Sequence, residues 1–251
     1  MKGGRLKSYC LEVSGEFACF TRPEMKVERV SYDVITPSAA RAVFEAILWK
    51  PAIRWRIRRI EVLKPIRWIS LRRNEVGAVV PVVPVGSVKS AMNKGVGDLA
   101  LYVEDERQQR AGLFLRDVTY RLHADLELVD DGRHRFNHSL LRETIRNEFE
   151  REMDKAPNTL PKFMNMFERR AAKGQCINQP YLGCREFACD FRWIKDAAQE
   201  PLPIPETRDL GWMLHDMDFA DVSDPKPRFF RAELKDGALA VPDIESQEVR
   251  G

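Results

Sequence analysis

The stretch TPSAARAVFEAILWKPAIRWRIRR, residues 36–59, sets a helix and a strand back to back, and its reading decides the fold class. Thr36 supplies a hydroxyl that can cap backbone donors, and Pro37 suits the first helical position. Ala40, Val43, Phe44, Ile47 and Leu48 then recur at helical spacing, and Pro51 ends the helix. From Ile53 the period changes to two. Ile53, Trp55 and Ile57 face one way and Arg54, Arg56 and Arg58 the other, which predicts a sheet face lined with guanidinium groups. The phase slips at Arg58-Arg59, which predicts a bulge.

Working outward, Tyr9, Leu11 and Val13 alternate with Ser8, Cys10 and Glu12, and with the run Phe17 to Phe20 they predict a first strand broken near Gly15. Val76 to Asp98 is rich in Val, Gly and Pro and reads as a long loop or loose hairpin. Leu113 to Val129 alternates again, with a change of apolar parity near Asp117, and predicts a long strand. Leu141, Ile145, Phe149 and Met153 mark a surface helix, and a second helix follows Asn158. A β-favouring run spans Arg185 to Ile194, and Pro201, Pro203 and Pro205 form a stiff joint before a tail of short strands. Strand, helix, strand, strand, helix, strand is the ferredoxin-like order also used by RNA recognition motifs. The expected fold is therefore α+β: a ferredoxin-like domain over residues 1–200 and a small antiparallel β-sheet domain over 201–251.

The chain has 251 residues, with 41 Lys and Arg against 38 Asp and Glu, so a net charge of +3 argues for no nucleic-acid partner by itself. Distribution is more informative: Arg54, Arg56, Arg58, Arg59, Lys64, Arg67, Arg72 and Arg73 crowd one segment in which acids are few. The five cysteines have no short paired spacing, so neither a zinc knuckle nor a redox motif is expected, and a reduced cytosol is the simple setting. The N-terminus leads into alternation instead of an apolar run, and no stretch reaches the roughly 18 apolar residues of a membrane span. No nucleophile elbow, phosphate loop or metal cluster stands in the sequence, and neither metal nor cofactor is expected.

Several strings, in order and in register, resemble one family. They are Ser31-Tyr32-Asp33-Val34, then Glu45-Ala46-Ile47-Leu48-Trp49-Lys50-Pro51, then Leu63-Lys64-Pro65-Ile66. Lys173-Gly174-Gln175-Cys176 follows, with Gln179-Pro180-Tyr181-Leu182-Gly183-Cys184-Arg185-Glu186-Phe187 and Leu210-Gly211-Trp212-Met213-Leu214-His215-Asp216. Together they resemble the CRISPR-associated Cas-five family of subtype I-C, formerly the Dvulg subtype. The resemblance implies an RNA-recognition-type domain followed by a β-sheet domain. It also implies metal-independent cutting of the precursor CRISPR transcript at its repeat, a retained product, and membership of a cytoplasmic surveillance complex with other subunits. Relative to shorter relatives, about 130–157 looks like an insertion.

Such cleavage uses the ribose 2′-hydroxyl as nucleophile and leaves a cyclic phosphate, so a base, an acid and a cation for the phosphorane are required. The family's set resembles a tyrosine before Trp-Lys-Pro and a lysine-histidine pair opening the later helix, and here those positions are Leu48, Lys162 and Phe163. Lys162 keeps the cation. Substitutes for the other two come from His134, His138, His123, Tyr120 and Tyr181, and His138, at the start of the inserted helix, is the expected base. RNA contacts are expected from Lys50, Arg54, Arg56 and Arg58, and from Arg169, Arg170, Lys173 and Gly174, where a glycine after a basic helix end lets amides approach phosphate. Solvated charge on the strand and ordinary helix capping at Gly174 are the plainer readings. Trp49 and Trp212 are expected to pack in the core. The alternative function is a non-catalytic scaffold holding the 5′ handle of the guide RNA, and double-stranded DNA is a further expected partner through the same arginines.

Overall fold

The computed structural model describes residues 6–77, 88–95, 104–129, 158–221 and 223–251. The strands are β1 (Lys7–Ala18), β2 (Ile53–Val62), β3 (Trp68–Val76), β4 (Arg107–Leu128), β5 (Asp190–Ile194), β6 (Arg208–Asp218), β7 (Lys226–Lys235) and β8 (Ala238–Ala240). The helices are α1 (Pro37–Ile47), α2 (Val88–Lys94) and α3 (Leu160–Ala172).

All neighbouring strands run antiparallel, in the order β5-β1-β4-β2-β8-β7-β6, with β3 pairing the first part of β4 as a two-stranded ribbon. Alternation puts Tyr9, Leu11 and Val13 of β1 and Ile53, Trp55 and Ile57 of β2 on one buried face. Both long helices pack there: Phe44 of α1 and Phe167 of α3 lie 4.9 and 4.7 Å from the Trp55 ring, and Phe167 lies 4.7 Å from Tyr9. The same apolar cluster extends to Leu210, Met213, Phe230, Leu234 and Leu239 of the C-terminal strands. Those strands join the rest through β8, which pairs β2 at Arg59, Ile60 and Glu61. Arg41 of α1 also grips Asp216 of β6 with two hydrogen bonds, from Nε at 2.8 Å and Nη2 at 3.0 Å.

Helix α1 begins where the residues require. The Ala39 amide donates to Thr36 Oγ1 at 3.3 Å, and Pro37 occupies the first turn. It ends at Ile47, and the Leu48 carbonyl beyond it accepts from Trp55 Nε1 at 2.9 Å, so the tryptophan that fills the core also satisfies a helix end. The register between β2 and β4 shifts between Ile57 and Arg59, the expected bulge.

Four expectations need correction. Strand β1 is continuous through Gly15, where a Cβ would lie 2.7 Å from Leu182, so this glycine serves close packing and not a break. The supposed loop from Val76 contains α2, and β3, ahead of it, is a strand whose only inward apolar residues are Ile69 and Leu71, packed on the small Cys19, Phe114 and Cys184 cluster. The run from Arg185 is extended only from Asp190. Trp212 is 46% exposed, with Arg250 over its ring, and is not core. The expected helix at 141–153, with His134 and His138, lies outside the described residues.

Candidate nucleic-acid interface

Helix α3 sorts its residues by angle. Phe163, Phe167 and Ala171 are buried at i, i+4 and i+8 and fix the helix to the core. Lys162, Arg169 and Lys173 stand at i, i+7 and i+11, along one edge with Met166, and make no ion pair among the described residues. Lys162 Nζ sits 5.7 Å above the Phe163 ring, which holds the ammonium beside the first turn.

Arg170 points elsewhere. Its Nη1 donates to the Ile47 carbonyl at 2.8 Å, while the Ile177 amide donates to the Ala46 carbonyl at 2.7 Å. The end of α3 and the following loop thus satisfy the last carbonyls of α1, which ties the Glu45–Pro51 string to residues on either side of Lys173–Cys176. Gly174 has φ +64, its amide donates to the Ala171 carbonyl at 3.2 Å, and the Gln175 amide donates to the Arg170 carbonyl at 2.9 Å. This is a Schellman cap. The expectation that these amides approach phosphate is corrected: both are already committed to the helix end.

Leu48 and Phe163 are 0% and 2% exposed, both packed in the main core. Of the substitutes considered, Tyr120 is buried on the helix face with its pKa raised by burial, and Tyr181 is exposed. His123 lies on the opposite face of the sheet, with Nε2 3.2 Å from Glu61 Oε1 and 3.9 Å from Cys10 Sγ. The structure does not bring these side chains to the Lys162 turn.

The arginine ladder is also on that opposite face, because its alternates Ile53, Trp55 and Ile57 are buried under the helices. This parity separates the ladder from Lys162, whose helix packs on the other face. Nor is the ladder bare. Arg56 Nε donates to Glu127 at 2.6 Å and Nη1 to Asp243 at 2.9 Å, and Arg58 Nε donates to Asp125 at 2.8 Å and Nη1 to Asp243 at 3.2 Å. Burial pushes the Asp243 carboxyl up, but the Glu245 amide and both arginines outweigh it and hold its pKa below the usual value. Arg54 has a lowered pKa from burial and the neighbouring Arg56 charge. Lys50 is half-buried in the connection between α1 and β2.

Sequence reading missed the centre of this face. Arg121, 2% exposed, donates from Nη1 to Glu61 at 2.7 Å and from Nη2 to the Pro201 carbonyl at 2.9 Å, which ties the proline-rich joint to the sheet. The signal was available only through register, since Glu61 and Arg121 are directly opposed in the β2–β4 ladder. Among the described residues no three His, Cys, Asp or Glu side chains are grouped to hold a metal ion, and no helix is long and apolar enough to cross a membrane.

Fold and site together define a class: an antiparallel α+β protein with two helices on one sheet face and, along the second helix, a cationic edge that makes no ion pair among the described residues. More particularly, the chain belongs to the family described as CRISPR-associated protein (Cas_Cas5), whose family model matches residues 8–242. A relative from Mannheimia succiniciproducens, named CRISPR pre-crRNA endoribonuclease Cas5d, is 48% identical over 96% of this chain and 97% of its own length. A protein of the same name from Thermus thermophilus is 37% identical over 95% of this chain and 93% of its own. Two solved structures share the fold at 20% identity. One, described as a CRISPR-associated protein, has a TM-score of 0.64, and the other, a functionally uncharacterized protein from Streptococcus mutans, 0.63. Each covers 99% of this chain and is itself covered completely.

Proposed function

We propose that this chain is an endoribonuclease that binds precursor CRISPR RNA at the repeat, cuts it without a metal, and stays with the product as a cytoplasmic subunit of a type I-C surveillance complex. The observation that carries this is full-length similarity, at 48% identity, to a protein named for that activity. The fold supports it: β5-β1-β4-β2, with α1 following β1 and α3 following β4, is the strand order of the ferredoxin-like unit used by RNA recognition motifs. On this reading residues 1–200 form that unit, and 201–251 add a smaller β-sheet element to its edge.

In the proposed reaction the 2′-oxygen forms a bond to phosphorus as the bond to the 5′-oxygen breaks, leaving a cyclic phosphate and a 5′-hydroxyl. Lys162 offsets charge on the phosphorane, and Arg169 and Lys173 hold neighbouring phosphates along the same edge. Leucine and phenylalanine at 48 and 163 can neither take nor give a proton, so His138 is proposed as base. Lys50 and Arg54 are proposed as further RNA contacts, with Arg56 and Arg58 chiefly holding Asp243.

The second reading is a scaffold that holds the 5′ handle without cutting, and the burial of Leu48 and Phe163 favours it. Double-stranded DNA binding is compatible with either. The test is repeat RNA in chelator, with and without a single 2′-deoxy substitution at the cut site. Cleavage of the first alone is the expected result, and Lys162→Ala should slow it about a hundredfold with only a few-fold loss of binding. Tight binding with intact RNA after long incubation overturns the enzymatic reading in favour of the scaffold.

A further inference from the structure

We propose that Cys19 and Cys184 form a peroxide-sensitive thiol pair whose oxidation to a disulfide unlatches the β3–β4 ribbon. The two residues come from distant parts of the chain, yet the Cys19 amide donates to the Leu182 carbonyl at 3.0 Å and Cys184 Sγ lies 3.8 Å from the Cys19 carbonyl oxygen. With Phe114 they form a small apolar cluster separate from the main core. Both backbones are therefore already held against each other, as a disulfide requires.

One sulfur is singled out for attack. Arg29 Nη1 donates to Cys184 Sγ at 3.3 Å, an arrangement that favours the thiolate. The hydrogen bond from Cys19 and the Arg29 charge lower the Cys184 pKa against the effect of burial, while Cys19 is raised, by its bond to Cys184 and by burial, and stays a thiol. An open depression of about 380 Å³, lined by Arg29, Arg73, Asn74, Glu75, Val76 and Glu186, adjoins the pair through Arg29. Cys184 itself is 7% exposed, enough for a small oxidant and too little for a bulky one.

With hydrogen peroxide as oxidant the chemistry balances. The Cys184 thiolate attacks one peroxide oxygen, the O–O bond breaks, and sulfenic acid and hydroxide form. The Cys19 thiol then attacks that sulfur, expelling water and closing the disulfide. Two thiols are oxidised and one peroxide is reduced to two waters.

The conformational consequence runs through Arg29, which also lies 3.7 Å from Glu75 of β3 and 4.0 Å from Glu186. A neutral disulfide is a poor partner for a guanidinium, so Arg29 loses the thiolate that seats it, and Glu75 loses a fixed Arg29. Arg73, which donates to Glu186 at 2.6 Å and lies over the Phe114 and Phe187 rings, then remains as the charged tie between ribbon and loop, beside Ile69 and Leu71 packed on the same apolar cluster.

The experiment uses the full chain treated with hydrogen peroxide at neutral pH, followed by thiol titration in denaturant, peptide mapping and amide exchange. The five thiols should fall to three, with Cys19 and Cys184 in one linked peptide, and dithiothreitol should restore all five. Amides of Arg72 to Val76 should exchange about fivefold or more faster when oxidised. In Cys19→Ser the sulfenic acid should persist on Cys184, trapped by dimedone, with no linked peptide formed. Five surviving thiols, a bridge between other cysteines, or Cys184 driven to sulfinic acid beside an intact Cys19 thiol each overturn the pair. A Cys19–Cys184 bridge with unchanged ribbon exchange overturns the latch. Should Cys19→Ser fail to fold, the wild-type map and exchange decide alone.

Discussion

At the scale of single residues the two departures at Leu48 and Phe163 matter most, because apolar side chains occupy positions where proton transfer is expected. Phe163→His tests whether the missing group limits turnover. Imidazole beside Lys162 should raise repeat-RNA cleavage about tenfold or more, in keeping with general acid-base contributions, while placing a polar ring in a 2% exposed site should cost about 1–3 kcal/mol of stability. Single-turnover rates and thermal melting of the same preparation separate the two effects, and an unchanged rate in a folded variant would mean that proton transfer at this position is not limiting. The pH dependence of stability belongs to another histidine. Burial lowers the pKa of His215, against the pull of the Pro242 carbonyl, Asp216 and Asp243, and Nε2 meets that carbonyl at 2.8 Å. The unfolded chain therefore binds the proton more readily, near pH 6.5. Stability is full above that value and falls as pH drops from it toward the lower folded pKa. Melting temperature should decline on acidification from pH 7.5 to 5.5, and His215→Gln should flatten that decline. The identities of Leu48, Lys162 and Phe163 were legible in the sequence. That Phe163 faces the core while Lys162 faces out was legible from helical spacing as well, but the ring beneath the ammonium was not.

At the scale of elements α3 is two surfaces on one helix, and the adjacent residues Arg169 and Arg170 belong to different ones. Arg170 holds a carbonyl of α1, so Arg170→Ala should destabilise the fold by about 1.5–3 kcal/mol, as expected for a charged hydrogen bond. Arg169 lies on the outward edge, so Arg169→Ala should leave melting unchanged and weaken RNA binding, with the slope of log affinity against log salt falling by about 0.7–0.9. Denaturant titration and binding across a salt series make the comparison, and the reverse pattern would move the interface to the other side of the helix. Sequence placed both arginines in one cluster because adjacency in the chain hides the 100° turn between them. The β2 bulge was legible, since a slip of parity is written in the residues. Strand β3 was not: its inner face carries only Ile69 and Leu71 before Arg73 and Glu75 continue it, so the apolar alternation is too short to read. The mixed signals near Asp117, whose φ is +54, mark where β4 leaves that ribbon and enters the main sheet.

At the scale of the whole molecule the basic segment at Arg54 to Arg73 changes meaning. Read along the chain, it is a cationic ladder with few acids. Folded, it meets Asp125 and Glu127 from β4 across the register, and Asp243 from a segment 187 residues beyond Arg56. No local pattern carries that information, because the neutralising carboxylates come from a neighbouring strand and from the C-terminal segment. The arrangement makes Arg56 and Arg58 a clasp that holds the stretch after β8 against the sheet, with Arg121 holding the proline joint beside it. A clasp and a nucleic-acid surface respond differently to removal. Arg56→Ala with Arg58→Ala should lower stability by about 1–2 kcal/mol, a modest figure because Glu127 and Asp243 are each about a third exposed. RNA affinity of the folded protein should change little. Asp243→Asn should act in the opposite sense on nucleic acid: it leaves both guanidiniums under-neutralised, so non-specific duplex DNA should bind more tightly and with a steeper salt dependence. Melting curves and fluorescence anisotropy over a salt series read both quantities. A large loss of repeat-RNA affinity in the double alanine variant, at unchanged melting temperature, would return Arg56 and Arg58 to the RNA beside Arg54.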